Sequence, residues 1–340
     1  MKIRFTVFIV CFGMSVAYAA SGDSAAFYFA KGQQLREQRR YHDAEKQYLK
    51  AIDFQPETYA INEALGKNYL DQRKYAEAKT VFTKLHAQQP GDTAVLGQLA
   101  TLSFNLKKYD EAITYLEKLT AVNPSEANFL KLGQSYTETE NYGKAIAAFE
   151  NVLKKNDKNA AAAYNLGLAY VEVNNYKKAI PYYQQAINIE PAKYQWIYEL
   201  GLLYFTTNNI ETAITYYEKA AAAGMPKDLV FLENMGLAQL STKQYEKGIA
   251  TLEELLVKKP GNTEILFGIA QAYYKHEEYK KAIETWQRVL EADETNFRSL
   301  YMQGMAFQKM GKITKGKELC DVAISRDPSL ANLRHEKITF

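Results

Sequence analysis

The sequence predicts an all-α chain built as a tandem array of helix hairpins, and three observations lead there. Pro56, Pro90 and Pro124 stand 34 residues apart, and Pro191, Pro226, Pro260 and Pro328 keep the same register, with Pro181 alone outside it. Gly32, Gly66, Gly133, Gly167, Gly201, Gly236 and Gly304 repeat on the same period, Ala100 and Ala270 filling two vacancies. Between these markers apolar residues recur at three- and four-residue spacing, and no alternating strand pattern occurs.

The elements follow in order. Lys2 and Arg4, the apolar run Phe5 to Val16 and the Ala17-Tyr18-Ala19 triplet make residues 1–19 a cleavable secretory signal, with cleavage expected between Ala19 and Ala20. The alternative is an uncleaved signal anchor. Cys11 lies mid-way through the apolar run, which does not fit a lipoprotein signal. A short segment, 20–24, precedes nine units starting at 25, 59, 93, 126, 160, 194, 229, 263 and 297, and residues 331–340 follow as a capping helix or tail. After cleavage Cys320 is the only cysteine, so packing rather than a disulfide must hold the fold.

Each unit reads as two helices. In Ala160 to Lys193 the first helix ends at a turn on Asn174-Asn175 and the second stops at Pro191. Pro181 falls early in that second helix, where a missing donor costs least. Asp157 and Glu294 replace the terminal proline in two inner units, which should soften the stop without changing the fold. A small residue at the eighth position of each unit lets the paired helices approach closely.

This pattern resembles the tetratricopeptide repeat family. Leu166, Gly167, Tyr170, Tyr176, Ala179, Tyr183, Ala186 and Pro191 match its pattern in full, and Leu65, Gly66, Tyr69, Tyr75, Ala78, Phe82, Leu85 and Pro90 match closely. The end units depart: Lys31 and Gln303 stand at the leucine position, and Cys320 at the aromatic one. The resemblance implies a right-handed superhelical solenoid whose first helices line a concave groove, and a non-catalytic scaffold for partner proteins.

Composition and motifs agree with a binding role. With 42 basic and 39 acidic residues, the charge is too balanced for a nucleic-acid footprint. His42, His86, His276 and His335 lie in four separate units, and no metal, nucleophile or phosphate-loop motif is present, so neither enzyme activity, metal nor cofactor is expected. No later apolar run is long enough to span a membrane, so no integral segment remains after cleavage.

By the family's convention positions 2, 5, 9 and 12 of each first helix face the groove. In four successive units the last three of these are Tyr164, Leu168 and Val171; Tyr198, Leu202 and Phe205; Glu233, Leu237 and Leu240; and Phe267, Gln271 and Tyr274. In the second unit they are Glu63, Lys67 and Leu70, so the groove begins polar and becomes apolar. This wall suits an apolar peptide or helix of a partner protein in the bacterial periplasm or envelope, in assembly or secretion. Part of the stripe also admits a pure packing role. Asn165 and Asn234, with Gln98, stand where some family members hold peptide backbone, whereas the family's carboxylate clamp is not matched. The alternative is glycan or small-molecule binding, with Tyr164, Tyr198, Phe267, Tyr274 and Tyr301 as stacking platforms and Glu199 and Glu233 as polar complement.

Overall fold

The computed structural model describes residues 23–334. The expected secretory signal, its expected cleavage point, His335 and the rest of the expected capping helix or tail after Arg334 lie outside the described residues. The chain divides into two compact units, the first ending at Tyr182 and the second beginning at Tyr183.

In the first unit α1 (23–37) and α2 (Tyr41–Phe54) are followed by α3 (Tyr59–Asp71), α4 (Tyr75–Gln88), α5 (Thr93–Asn105), α6 (Tyr109–Val122), α7 (Glu126–Glu138), α8 (Tyr142–Lys155) and α9 (Ala160–Glu172). The unit boundary falls inside α10 (Tyr176–Ile189). The second unit continues through α11 (Tyr194–Thr206), α12 (Ile210–Ala222), α13 (Leu229–Ser241), α14 (Tyr245–Lys258), α15 (Thr263–Lys275), α16 (Tyr279–Ala292), α17 (Phe297–Lys309) and α18 (Ile313–Arg326). A 3-10 turn, Pro328–Arg334, buries Leu330 against the last hairpin.

Helix ends follow the local chemistry. Asp92, Ser125, Asn159, Asp228, Asn262 and Asn296 cap the first helices of their hairpins with side-chain oxygens on backbone amides. The turn inside each hairpin places one residue in the left-handed region: Arg39, Arg73, Lys107, Glu140, Asn174, Asn208, Lys243, Glu277 and Gly311. The amide after it closes the turn on the first helix, as in Lys74 N to Tyr69 O at 2.9 Å. Without the terminal proline α8 and α16 still stop two residues before Asp157 and Glu294, because the following cap already commits the chain to leave the helix. Pro181 is the sixth residue of α10, past the first turn rather than within it. Its missing amide forfeits the bond to the Lys177 carbonyl, and the helix nevertheless continues to Ile189.

The core explains the glycines. A Cβ on Gly133 would lie 2.5 Å from the Phe149 ring, on Gly201 2.7 Å from Tyr217, and on Gly236 2.6 Å from Leu252. Each second helix thus rests a large side chain directly on the backbone of its partner. The tyrosines have a second use between hairpins. Tyr170 OH donates to Glu150 at 3.0 Å and Tyr273 OH to Glu253 at 3.2 Å, while Lys178 and Lys281 sit over the same rings at 5.3 and 5.2 Å. Tyr136, with Glu117 and Lys144, repeats the arrangement.

Candidate functional site

The face that the sequence singles out begins polar at its N-terminal end. Phe29, Gln33 and Arg36 of α1 and Glu63, Lys67 and Asp71 of α3 line a cavity of about 680 Å³. Its charges are internally matched: Arg36 Nε meets Asp71 Oδ2 at 2.6 Å, and Lys67 Nζ meets Glu63 Oε1 at 2.6 Å. The buried Tyr48 ring forms part of the lining, and burial raises its hydroxyl above the usual range. Further along, Lys131 of α7 is half-buried and donates to Thr101 Oγ1 at 2.8 Å, and burial holds its ammonium below the ordinary lysine range.

In the fifth hairpin Tyr164, Leu168 and Val171 of α9 are all half-buried. The Asn165 amide donates to Ala161 O at 2.7 Å, one turn back in its own helix. That donor is therefore engaged locally, which weakens the expected backbone-holding role.

In the second unit the expected stripe separates into packing residues and surface residues. Tyr198 is only 8 % exposed, its ring lying 5.3 Å from Tyr217 and 5.7 Å from Phe231. Its hydroxyl accepts a 2.7 Å hydrogen bond from Asn234 Nδ2, so this asparagine joins two hairpins instead of facing solvent freely. Burial raises the Tyr198 hydroxyl, and it raises that of Tyr217, which has no hydrogen-bond partner. Leu240 is 4 % exposed because Gly248 leaves room for it; a Cβ there would lie 2.6 Å from the leucine side chain. Gln271 is likewise buried. These three positions serve the interior, a correction to the twelve-residue wall expected from the sequence.

The remaining members stay accessible. Leu202 and Phe205 are half-buried beside the Tyr198 cluster, and Glu233 is half-buried on α13. Leu237 is 37 % exposed. Phe267 and Tyr274 are half-buried over Trp286, at 6.2 and 5.9 Å between centroids, and Arg298 lies 5.1 Å above Phe267. Burial raises the Tyr274 hydroxyl. Val230, 60 % exposed, belongs to the same face. Its place as the second residue of its unit was the available signal, which a reading confined to positions 5, 9 and 12 passed over. Tyr301, one of the stacking candidates for a glycan, is buried with its carbonyl against Cys320 Sγ at 3.5 Å.

Among the described residues no three His, Cys, Asp or Glu side chains gather as a metal site. No helix among them is long and apolar enough to cross a membrane.

Three family models described as tetratricopeptide repeat match the chain. One covers residues 29–93, 130–195, 170–228 and 198–263, the second 69–134 and 239–303, and the third 298–329. Among solved structures, the chain is similar to the C-terminal part of a repeat protein of the same kind from Cytophaga hutchinsonii, at 22% identity and a TM-score of 0.55 over 72% of this chain and 99% of that one. A tetratricopeptide repeat protein from Parabacteroides merdae matches at 19% identity and a TM-score of 0.49, over 74% and 99% of the two chains. YrrB, described as having an unusual peptide-binding site, matches at 21% identity and a TM-score of 0.47, over 56% and 98%.

Proposed function

The chain belongs to the tetratricopeptide repeat family, and from that premise we propose that it is a non-catalytic scaffold that holds an apolar segment of a partner protein on the α11 and α13 faces of its second unit. The observation that carries this reading is the pair of exposed aliphatic side chains Val230 and Leu237 on one helix face, with Leu202 accessible on the helix before. Large aliphatic groups gain by leaving water, at about 25 cal/mol per Å² covered, and a partner provides the cover. The N-terminal signal features support export, so the reading places the scaffold in the periplasm or envelope. Sequencing the mature N-terminus tests this: a start at Ala20 agrees, and a retained Met1 favours an anchored form.

The central test is Leu202→Glu with Leu237→Glu. Charges stranded against an apolar segment lose their hydration without a partner, so binding should fall by several kcal/mol. Cross-linking and co-purification of wild type and double variant from the envelope fraction read the effect. Equal recovery of the same partner by a folded double variant would move the site elsewhere. The glycan reading is less favoured, because Tyr198 and Tyr301 are buried and cannot stack on a sugar ring.

A further inference from the structure

We infer that the segment held on α13 carries a lysine or arginine between aliphatic side chains, and that Glu233 selects it. The inference rests on the reading of the α11 and α13 faces given above. Val230, Glu233 and Leu237 lie three and four residues apart, so they share one helix face over roughly 10 Å. The two ends of this face are aliphatic and exposed, and the carboxylate between them is half-buried.

Glu233 differs from comparable carboxylates. Glu63 is held by Lys67 at 2.6 Å, and Glu199 accepts from Tyr183 OH at 3.3 Å. Glu233 makes no hydrogen bond or ion pair among the described residues. The cation that a later hairpin brings to this face, Arg298 of α17, lies over the Phe267 ring at 5.1 Å. The helices α11, α13 and α15 together carry Glu199, Glu233 and Glu264 against the single Lys275 at the far end of α15. A wholly apolar segment laid over this face would strip water from the carboxylate and return nothing. An acidic segment would be repelled. A cationic side chain flanked by aliphatic ones satisfies all three positions, with the ion pair fixing register as well as adding affinity.

Fluorescence anisotropy with the full chain tests this, using three labelled helical peptides of about 16 residues, each with two leucines seven apart. The probes carry lysine, norleucine or glutamate between the leucines. The lysine probe should bind roughly tenfold more tightly than the norleucine probe, and the glutamate probe most weakly. Glu233→Gln should bring lysine and norleucine probes to near equality with the helix signal unchanged, and Glu233→Lys should invert the order. A wild type indifferent to probe charge, or a lysine preference that survives Glu233→Gln, would overturn the inference. Charge-blind binding that Leu202→Glu with Leu237→Glu abolishes would overturn selection by Glu233 alone and leave the binding face standing. If that double variant binds every probe as wild type does, or if no probe binds wild type, the reading of the face falls with it.

Discussion

The two compact units use the same hairpin but hold and expose it differently. In the first, charge is matched within the chain. The carboxyls of Asp43, Glu57, Asp92, Glu111 and Glu117 are held below the ordinary range, each chiefly by one hydrogen bond, from Arg40, Lys84, Tyr59, Lys79 and Tyr136 respectively. In the second, Glu278, bonded by Lys281, is the one carboxyl among the described residues so depressed. There the junctions are filled by rings, Tyr198 with Tyr217 and Phe231, and Phe267 and Tyr274 with Trp286. The difference teaches where a partner can gain. A face whose charges already pair offers little to a newcomer, whereas exposed Val230 and Leu237 beside an unpaired Glu233 leave both area and charge to be satisfied.

A large effect is expected at the feature both units share. Gly201→Leu forces side-chain atoms into the Tyr217 ring, already 2.7 Å from where a Cβ would stand. Overpacking of this kind costs about 1–3 kcal/mol, occasionally more. Gly143, with open space around its Cβ position, makes the control, and Gly143→Ala should stabilise α8 by about 0.5–1 kcal/mol. Urea unfolding followed by circular dichroism reads both. Equal effects at the two sites would refute the close-approach account.

Acid should separate the units next. A carboxyl depressed in the folded state contributes stability that is present above its unfolded pKa and lost as pH falls through the folded value. The first unit holds five such groups with single dominant bonds and the second one, so protection in α2 to α8 should fall before protection in α11 to α18 as pH drops from about 5 towards 2. Hydrogen exchange resolved by peptide mass measures this. Most of these pairs are solvent-exposed, so high salt should narrow the gap. Simultaneous loss in both units would show that the pairs are decorative.

Much of this contrast was legible in the sequence, and the reasons for the rest are local. Glycine at the eighth position could be read because no other residue permits the approach that Phe149 and Tyr217 make. Among the left-handed turn residues Asn174, Asn208 and Gly311 favour that conformation by type, whereas the hairpin imposes it on Arg39, Lys107 and Glu140, which have no preference for it. Leu240 looked like a groove residue, and its burial depends on Gly248, a residue on the next helix whose missing Cβ opens the space. Tyr198 looked like a platform, and its burial depends on Phe231 from the following hairpin. Periodicity assigns a residue to a face; only its neighbours across the turn decide whether that face stays open.

The paired asparagines sharpen the comparison at smaller cost. Asn234 bonds Tyr198 OH across two hairpins, so Asn234→Ala should lose about 1 kcal/mol. Asn165 bonds the Ala161 carbonyl within its own helix, and the better helix propensity of alanine should offset that loss to within about 0.5 kcal/mol. Thermal unfolding of the two single variants distinguishes them. A larger loss at Asn165 would mean that its amide does more than serve its own helix.

The smallest effect on stability is expected at the residue most exposed to a partner. Leu237→Ser removes an aliphatic side chain that is already 37 % exposed, so unfolding free energy should move by no more than about 0.5 kcal/mol. Leu240→Ser, three residues on, empties a site that is 4 % exposed and puts a hydroxyl into it, which should cost about 2–5 kcal/mol. The two leucines share helix α13 and differ in their surroundings, Gly248 opening a slot for one while the other stays partly exposed. If Leu237→Ser destabilises the chain as Leu240→Ser does, the exposed aliphatic strip is part of the core and the binding face proposed on it is lost. If stability is spared while partner recovery drops, the strip is a surface maintained for contact, because an aliphatic side chain kept in water at no gain to the fold has its use in something outside it.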